Sequence, residues 1–204
     1  MTPETAENSS SEETKGKSLI LNVGSGVMDF GGVRLDIVKH RNVNVVADGE
    51  RLPFRDCVFD VVYSRSFLEH TLNPQRALEE QHRVLKPRGT LMLITDNAGY
   101  WRFHVFGTHV KPTTRLGGQR FYLGISSMDT HFSLFTREHL RQRLEKIGLK
   151  IEELSLELHG FSGKPHKMDR ILAMFKIAEN LTHPRIKIVS TKREMESIPF
   201  KTTQ

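Results

Sequence analysis

The chain has 204 residues, 37% of them hydrophobic and 26% charged, the balance of an ordinary globular protein with one core, which excludes a fibrous or wholly disordered chain. Its formal charge of +6, from 30 Lys and Arg against 24 Asp and Glu, keeps nucleic acid in view without requiring it. No apolar run approaches the roughly 18 residues of a bilayer crossing, no secretory pattern opens the chain, and the single Cys57 excludes an intrachain disulfide, so the expected setting is cytoplasmic.

After Met1, residues 1–17 hold no aliphatic side chain larger than Ala6 and are expected to be a disordered tail. From Ser18 the texture changes. LILNV (19–23), VRLDI (33–37), VNVVA (43–47), FDVVYS (59–64) and GTLMLIT (89–95) are short aliphatic runs closed by Asp, Gly or Asn. Their lack of clean alternation predicts strands covered on both faces of a parallel sheet. Asn73 and Pro74 supply a cap and a first-turn proline, and Ala77, Leu78, Val84 and Leu85 form the stripe of a helix ending at Lys86, Pro87 and Gly89. Residues 97–135 show no sustained period and are rich in aromatic, Gly and His residues, which predicts a functional insertion. A second helix runs from the cap residue Thr136 through Leu140, Leu144 and Ile147 to Gly148. Two closing strands, 149–157 and 171–178, are expected to pair like a hairpin. The domain thus spans 18–180, and 181–204 forms a basic, solvated tail.

The sharpest local feature is LILNVGSG, a buried strand running into Gly24, Ser25 and Gly26, where backbone amides can approach a ligand at the carboxyl end of a strand. The full dinucleotide pattern is absent, since Asp29 stands where GxGxxG needs its third glycine, and a nicotinamide enzyme is disfavoured. Asp36 closes VRLD, where a carboxylate can accept from both hydroxyls of a ribose. Asp48 closes VNVVAD in the same way, and Gly49 leaves room for a purine ring.

Taken in order, this loop, Asp36, Asp48, LPF (52–54), FDVVYS, LEH (68–70) and RVLKPRG (83–89) resemble the class I S-adenosylmethionine-dependent methyltransferases, in the group related to quinone and small-molecule methyltransferases. The resemblance is close over 18–95 and returns in FSLFTREHLRQRLEKIG (132–148). It implies an α/β, Rossmann-like fold with a mostly parallel seven-stranded sheet and an antiparallel last strand. S-adenosylmethionine would lie over the carboxyl ends of the first, second and fourth strands. Asn22, Gly24, Ser25 and Gly26 would hold its methionine part, Asp36 and Ile37 the ribose side, Asp48 and Gly49 the adenine, and Ser64 the methyl end. The chain departs from the family at Asn22, where an acidic residue is common. It departs again at 27–33, too short for the usual first crossover helix, so a turn and a more open site are expected there.

The implied chemistry is in-line methyl transfer to a small-molecule acceptor, in which alignment and desolvation supply most of the acceleration. No residue is singled out as catalytic. A base is needed only for a protonated acceptor, and the candidates are His70, His104, His109, His131 and Glu69. His70, Trp101 and His104 are expected to face the acceptor, with 97–135 as its lid. No metal site is expected, because these histidines lack zinc-ligand spacing. Cys57 reads as a semi-buried loop residue. An RNA acceptor met through Lys187, Lys192 and Arg193 is the first alternative, and a catalytically silent scaffold with this fold is the second.

Overall fold

The apolar runs become strands in parallel register: β1 (Ile20–Val23), β2 (Val33–Asp36), β3 (Val45–Val46), β4 (Phe59–Arg65) and β5 (Leu85–Asp96). A computed structural model describes residues 18–101, 131–158, 167–174 and 179–194. With β6 (Leu149–Glu157) and β7 (Arg185–Lys192), the sheet order is β3-β2-β1-β4-β5-β7-β6. Only β7 runs antiparallel to its neighbours, β5 and β6. The fold is the expected α/β arrangement of seven strands, mostly parallel.

Register sorts the side chains by face. Leu21, Val62, Leu91 and Ser190 align across β1, β4, β5 and β7, as do Val23, Ser64, Leu93 and Ile188, and all eight are 0% exposed. Helices α1 (Pro74–Val84) and α2 (Arg137–Lys146) close this core with Ala77, Leu78, Val84, Leu140 and Leu144, each larger aliphatic side chain contributing roughly 1.5–3 kcal/mol by burial. The opposite face aligns Asn22, Tyr63, Met92 and Val189, of which only Asn22 is fully buried. Both helices begin where their caps predict: Asn73 accepts from the Arg76 amide at 3.1 Å and Thr136 from the His139 amide at 3.2 Å. Gly148 ends α2 at φ 94°. Helix α1 does not end in a separate turn, because its C-cap, Leu85, is already the first residue of β5.

Neither β1 to β2 nor β2 to β3 contains a helix. The first of these shortened crossovers matches expectation. Its turn is closed by Asn22, whose amide donates to the Phe30 carbonyl at 3.1 Å, while the Phe30 ring meets Tyr63 edge-on at 5.0 Å. Gly31 takes φ 88° there, which suits a residue without a Cβ.

The C-terminal third corrects the sequence reading. Residues 171–174 are not strand but the end of helix α3 (Lys167–Met174), which is followed by the single turn α4 (Glu179–Thr182); short apolar runs do not by themselves separate strand from helix. The seventh strand is instead RIKIVSTK, inside the segment read as a solvated basic tail. Its alternation was hidden by charge, and each charge has a partner. Lys187 pairs with Glu153 at 3.0 Å. Lys192, 7% exposed, donates to the carbonyls of His82 and Leu85 at 2.9 and 2.8 Å. Arg185, 2% exposed, faces the acidic groups described below. Cys57 is exposed, with φ 56°. The expectations for 1–17, 175–178, 195–204 and for His104 and His109 lie outside the described residues. No helix among the described residues is long and apolar enough to cross a membrane.

Candidate functional site

Parallel strands deliver their carboxyl ends to one edge, so the loops after β1, β2, β3, β4 and β5 converge there. The β1 loop is wound tightly, with Gly24 and Gly26 at φ 67° and 50°, values that L side chains rarely take. The Ser25 amide donates to the Leu35 carbonyl at 2.9 Å. The Gly26 amide donates to Asp36 Oδ2 at 2.8 Å, and Asp36 Oδ1 accepts from the Val38 amide at 2.9 Å. Asp36 therefore ties the glycine loop to the end of β2 and, with about four acceptor positions on a carboxylate, keeps capacity for a diol. Ile37 beside it is 58% exposed, an apolar surface suited to one face of a purine.

The space over the glycines is shaped by Phe67. A Cβ built on Gly24 would stand 2.7 Å from Phe67 Cβ, and one on Gly49 would stand 2.7 Å from Phe67 Cε2. The Phe67 side chain thus lies lengthwise between the two. The room left by the missing side chain of Gly49 is taken by Phe67. Asp48 is exposed and its Oδ1 accepts from the Glu50 amide at 2.8 Å, holding the turn after β3. On the side where the first helix is missing, a pocket of about 570 Å³ opens among Val27, Asp29, Arg34, His40, Arg41 and Asn42.

At the ends of β4 and β5 lies a buried polar cluster. The turn Leu68–His70 places Glu69, 1% exposed, so that its Oε2 accepts from Thr95 Oγ1 at 2.8 Å, while its carbonyl accepts from the Phe132 amide at 2.8 Å. Asp96 aligns with Arg185 across β5 and β7. His131 Nδ1 lies 3.4 Å from Asp96 Oδ2, and the His131 and His70 rings meet edge-on at 4.8 Å. Burial, then the neighbouring Asp96 charge, pushes the Glu69 carboxyl up to about 8. Burial raises Asp96 to about 6, against the pull of Arg185. Burial draws Arg185 below its usual range.

Two buried hydroxyls bear on whether a nucleoside ligand fits this edge. Ser25 Oγ and Ser64 Oγ are both buried without a hydrogen-bond partner among the described residues, and buried hydroxyls ordinarily have one. Together with the left-handed glycine loop and Asp36, they fit a polar ligand laid along this edge. Asn22 gives its amide nitrogen to Phe30, while its Oδ1 is, like the two hydroxyls, buried without a hydrogen-bond partner among the described residues. Trp101 is half-buried, its ring 6.3 Å from that of Tyr100. Phe67, Asp96 and Arg185 were not anticipated. Asp96 ends a strand as Asp36 and Asp48 do, and that signal could have found it. Among the described residues no three His, Cys, Asp or Glu side chains assemble as a metal-binding group.

A family described as "Methyltransferase domain" matches residues 27–93. The chain is 37% identical over 82 residues to the ubiquinone/menaquinone biosynthesis C-methyltransferase of a Ruegeria species, covering 39% of this chain and 32% of that protein. It is 33% identical over 100 residues to human "Probable tRNA methyltransferase 9B", covering 40% of this chain and 22% of that protein. The matched stretch spans less than half the length of these curated relatives. An S-adenosylmethionine-dependent methyltransferase structure from Methanosarcina mazei superposes with TM-score 0.56 at 17% identity, covering 87% of this chain and 93% of that one. The sequence resemblance and the fold therefore agree.

Proposed function

Because residues 27–93 match the methyltransferase-domain family on a sheet of the class I methyltransferase kind, we propose that the protein transfers a methyl group from S-adenosylmethionine to a small-molecule acceptor. The observation that carries this reading is the bond from the Gly26 amide to Asp36, which joins a left-handed glycine loop to a strand-end carboxylate across neighbouring strands. When bound, the cofactor supplies an electrophilic methyl whose leaving group is a neutral thioether. Gly24, Ser25 and Gly26 hold its amino-acid end, Asp36 its ribose, and Ile37 with the Asp48 turn its base. Ser64, at the end of β4, orients the methyl end. Phe67 lies against Gly24 and Gly49 and gives this edge an apolar surface, which suits a transfer governed by alignment and desolvation.

A small acceptor is favoured over RNA because Lys187 and Lys192, two of the three basic residues on which an RNA contact was expected, are engaged within the sheet, while Arg193 is exposed. The tRNA methyltransferase among the relatives keeps RNA as the second reading. Thermal melting with S-adenosylhomocysteine is the test. A ligand at a hundredfold excess over Kd adds about 2.7 kcal/mol, which for a chain of this size raises Tm by roughly 5–10 °C. Asp36→Ala should lose most of that shift while the unliganded variant still melts cooperatively. No shift in the wild-type protein would favour the silent scaffold.

A further inference from the structure

Beyond the methyl-transfer reading, we propose that the helix pair α3 and α4 docks the protein on an anionic lipid surface, with the carboxyl edge of the sheet turned toward the lipid. Topology places the pair. Strands β5 and β6 both run antiparallel to β7 and are therefore parallel to each other, so Glu157 at the end of β6 lies at the same edge as Asp96 at the end of β5. Strand β7 starts from that edge at Arg185. Both ends of the connection 158–184 are thus held at the edge that carries the glycine loop. Asn97, the residue after β5, fastens α4 there: its side-chain amide donates to the carbonyls of Asn180 and His183, each at 2.8 Å, and its backbone amide donates to the Pro184 carbonyl at 2.8 Å.

The pair presents a mixed surface outward. In α3, Lys167, Arg170, Ile171 and Met174 are all exposed, and their i, i+3, i+4, i+7 spacing puts them on one helical face. Ile171 is 49% exposed and Met174 82%, and Leu181 of α4 adds a third aliphatic side chain at 46%. Among the named elements α3 packs closely only on α4, and no strand of the sheet packs closely on it.

Two features decide which partner fits this surface. The exposed apolar side chains are aliphatic, which suits hydrocarbon and not the stacking that holds nucleic-acid bases. The charge is basic: across 158–184, Lys164, Lys167, Arg170 and Lys176 stand against Asp169 and Glu179, on a chain of formal charge +6. Anionic headgroups attract such a segment, while Ile171 and Met174 enter the boundary between headgroup and acyl chain. With eight residues, α3 is far too short to cross a bilayer and lies in the plane of the surface.

The test is co-sedimentation of the whole chain with vesicles of phosphatidylcholine, alone or with about 30 mol% phosphatidylserine. Wild type should partition onto the anionic vesicles at least about tenfold more strongly than onto the neutral ones, and should lose most of that preference in ~0.5 M NaCl, where surface charge is screened. Lys167→Gln with Arg170→Gln should weaken binding to anionic vesicles about 30-fold, because each basic residue near such a surface is worth roughly fivefold. Ile171→Ser with Met174→Ser should weaken it about tenfold although both charges remain. All four side chains are exposed, so both double variants should melt with wild type. Wild type that stays in the supernatant with both vesicles overturns the proposal, as do variants that bind like wild type. Dimerisation lost in the serine variant, without vesicle binding, gives the face to a second copy instead, and retention on an RNA homopolymer without vesicle binding gives it to RNA. No cofactor enters this assay, so the two readings fail separately: a melting shift with S-adenosylhomocysteine but no vesicle binding overturns docking alone, and vesicle binding without that shift overturns methyl transfer alone.

Discussion

Replacing Glu69 with Gln removes one ionisation while keeping an oxygen for the Thr95 hydroxyl. In the folded protein the carboxyl titrates at about 8, against 4.5 as a free side chain, chiefly because it is buried. Folded Glu69 therefore holds a proton that the unfolded chain releases, and between these values stability falls as pH rises, by up to about 1.4 kcal/mol per pH unit. From pH 5 to pH 9 this amounts to about 4 kcal/mol, or roughly 8–16 °C in Tm for a chain of this size. Asp96, raised to about 6, adds a slope of the same sign, and because the two carboxyls interact the difference between the proteins reports Glu69 together with its effect on Asp96. Guanidinium unfolding of both proteins at pH 5, 6, 7, 8 and 9 reads it directly. Glu69→Gln should gain on wild type steadily with pH; parallel curves would refute the buried, protonated acid.

Gly49→Ala should push the Phe67 ring off its seat, destabilising the fold by about 1–2 kcal/mol as overpacking does and weakening S-adenosylhomocysteine binding in calorimetry. Adding Phe67→Leu should recover most of the lost stability, and a second substitution that worsens it would contradict the packing. Lys192→Met, which leaves the His82 and Leu85 carbonyls without their shared donor, should cost about 1–3 kcal/mol in denaturant unfolding, whereas Lys187→Ala, whose partner Glu153 is exposed, should cost less than about 1 kcal/mol.

The first half of the sheet was legible because burial and chemistry point the same way there. Leu21, Val62 and Leu91 are apolar because they pack in the core that α1 and α2 close, and the glycines, Asp36 and the Asn73 cap each carry a local reason to be what they are. The last strand was not legible. Its buried positions include Arg185, Ser190 and Lys192, and whether such a run is a tail or a strand depends on partners far away: Asp96, Leu91 and His82. Residues 171–174, ILAM, misled for the opposite reason, since their apolarity permits either secondary structure and only tertiary context chose helix. At the site, the strand-end carboxylates announced themselves in sequence. Phe67 did not, because nothing local says that a phenylalanine will fill the space over two glycines from different loops.

The insertion of β7 between β5 and β6 bears on how the polypeptide assembles during synthesis. The run from β1 to β5 is complete at Asp96, but the edge of β5 stays open until Lys192 has been made. At ribosomal rates of 5–20 residues per second that is about 5–20 s. Throughout this interval LMLIT presents an unpaired apolar edge, the form most prone to join a neighbouring nascent chain, and β6 emerges with no strand to join. The longer this interval lasts, the longer the β5 edge stays open to such pairing.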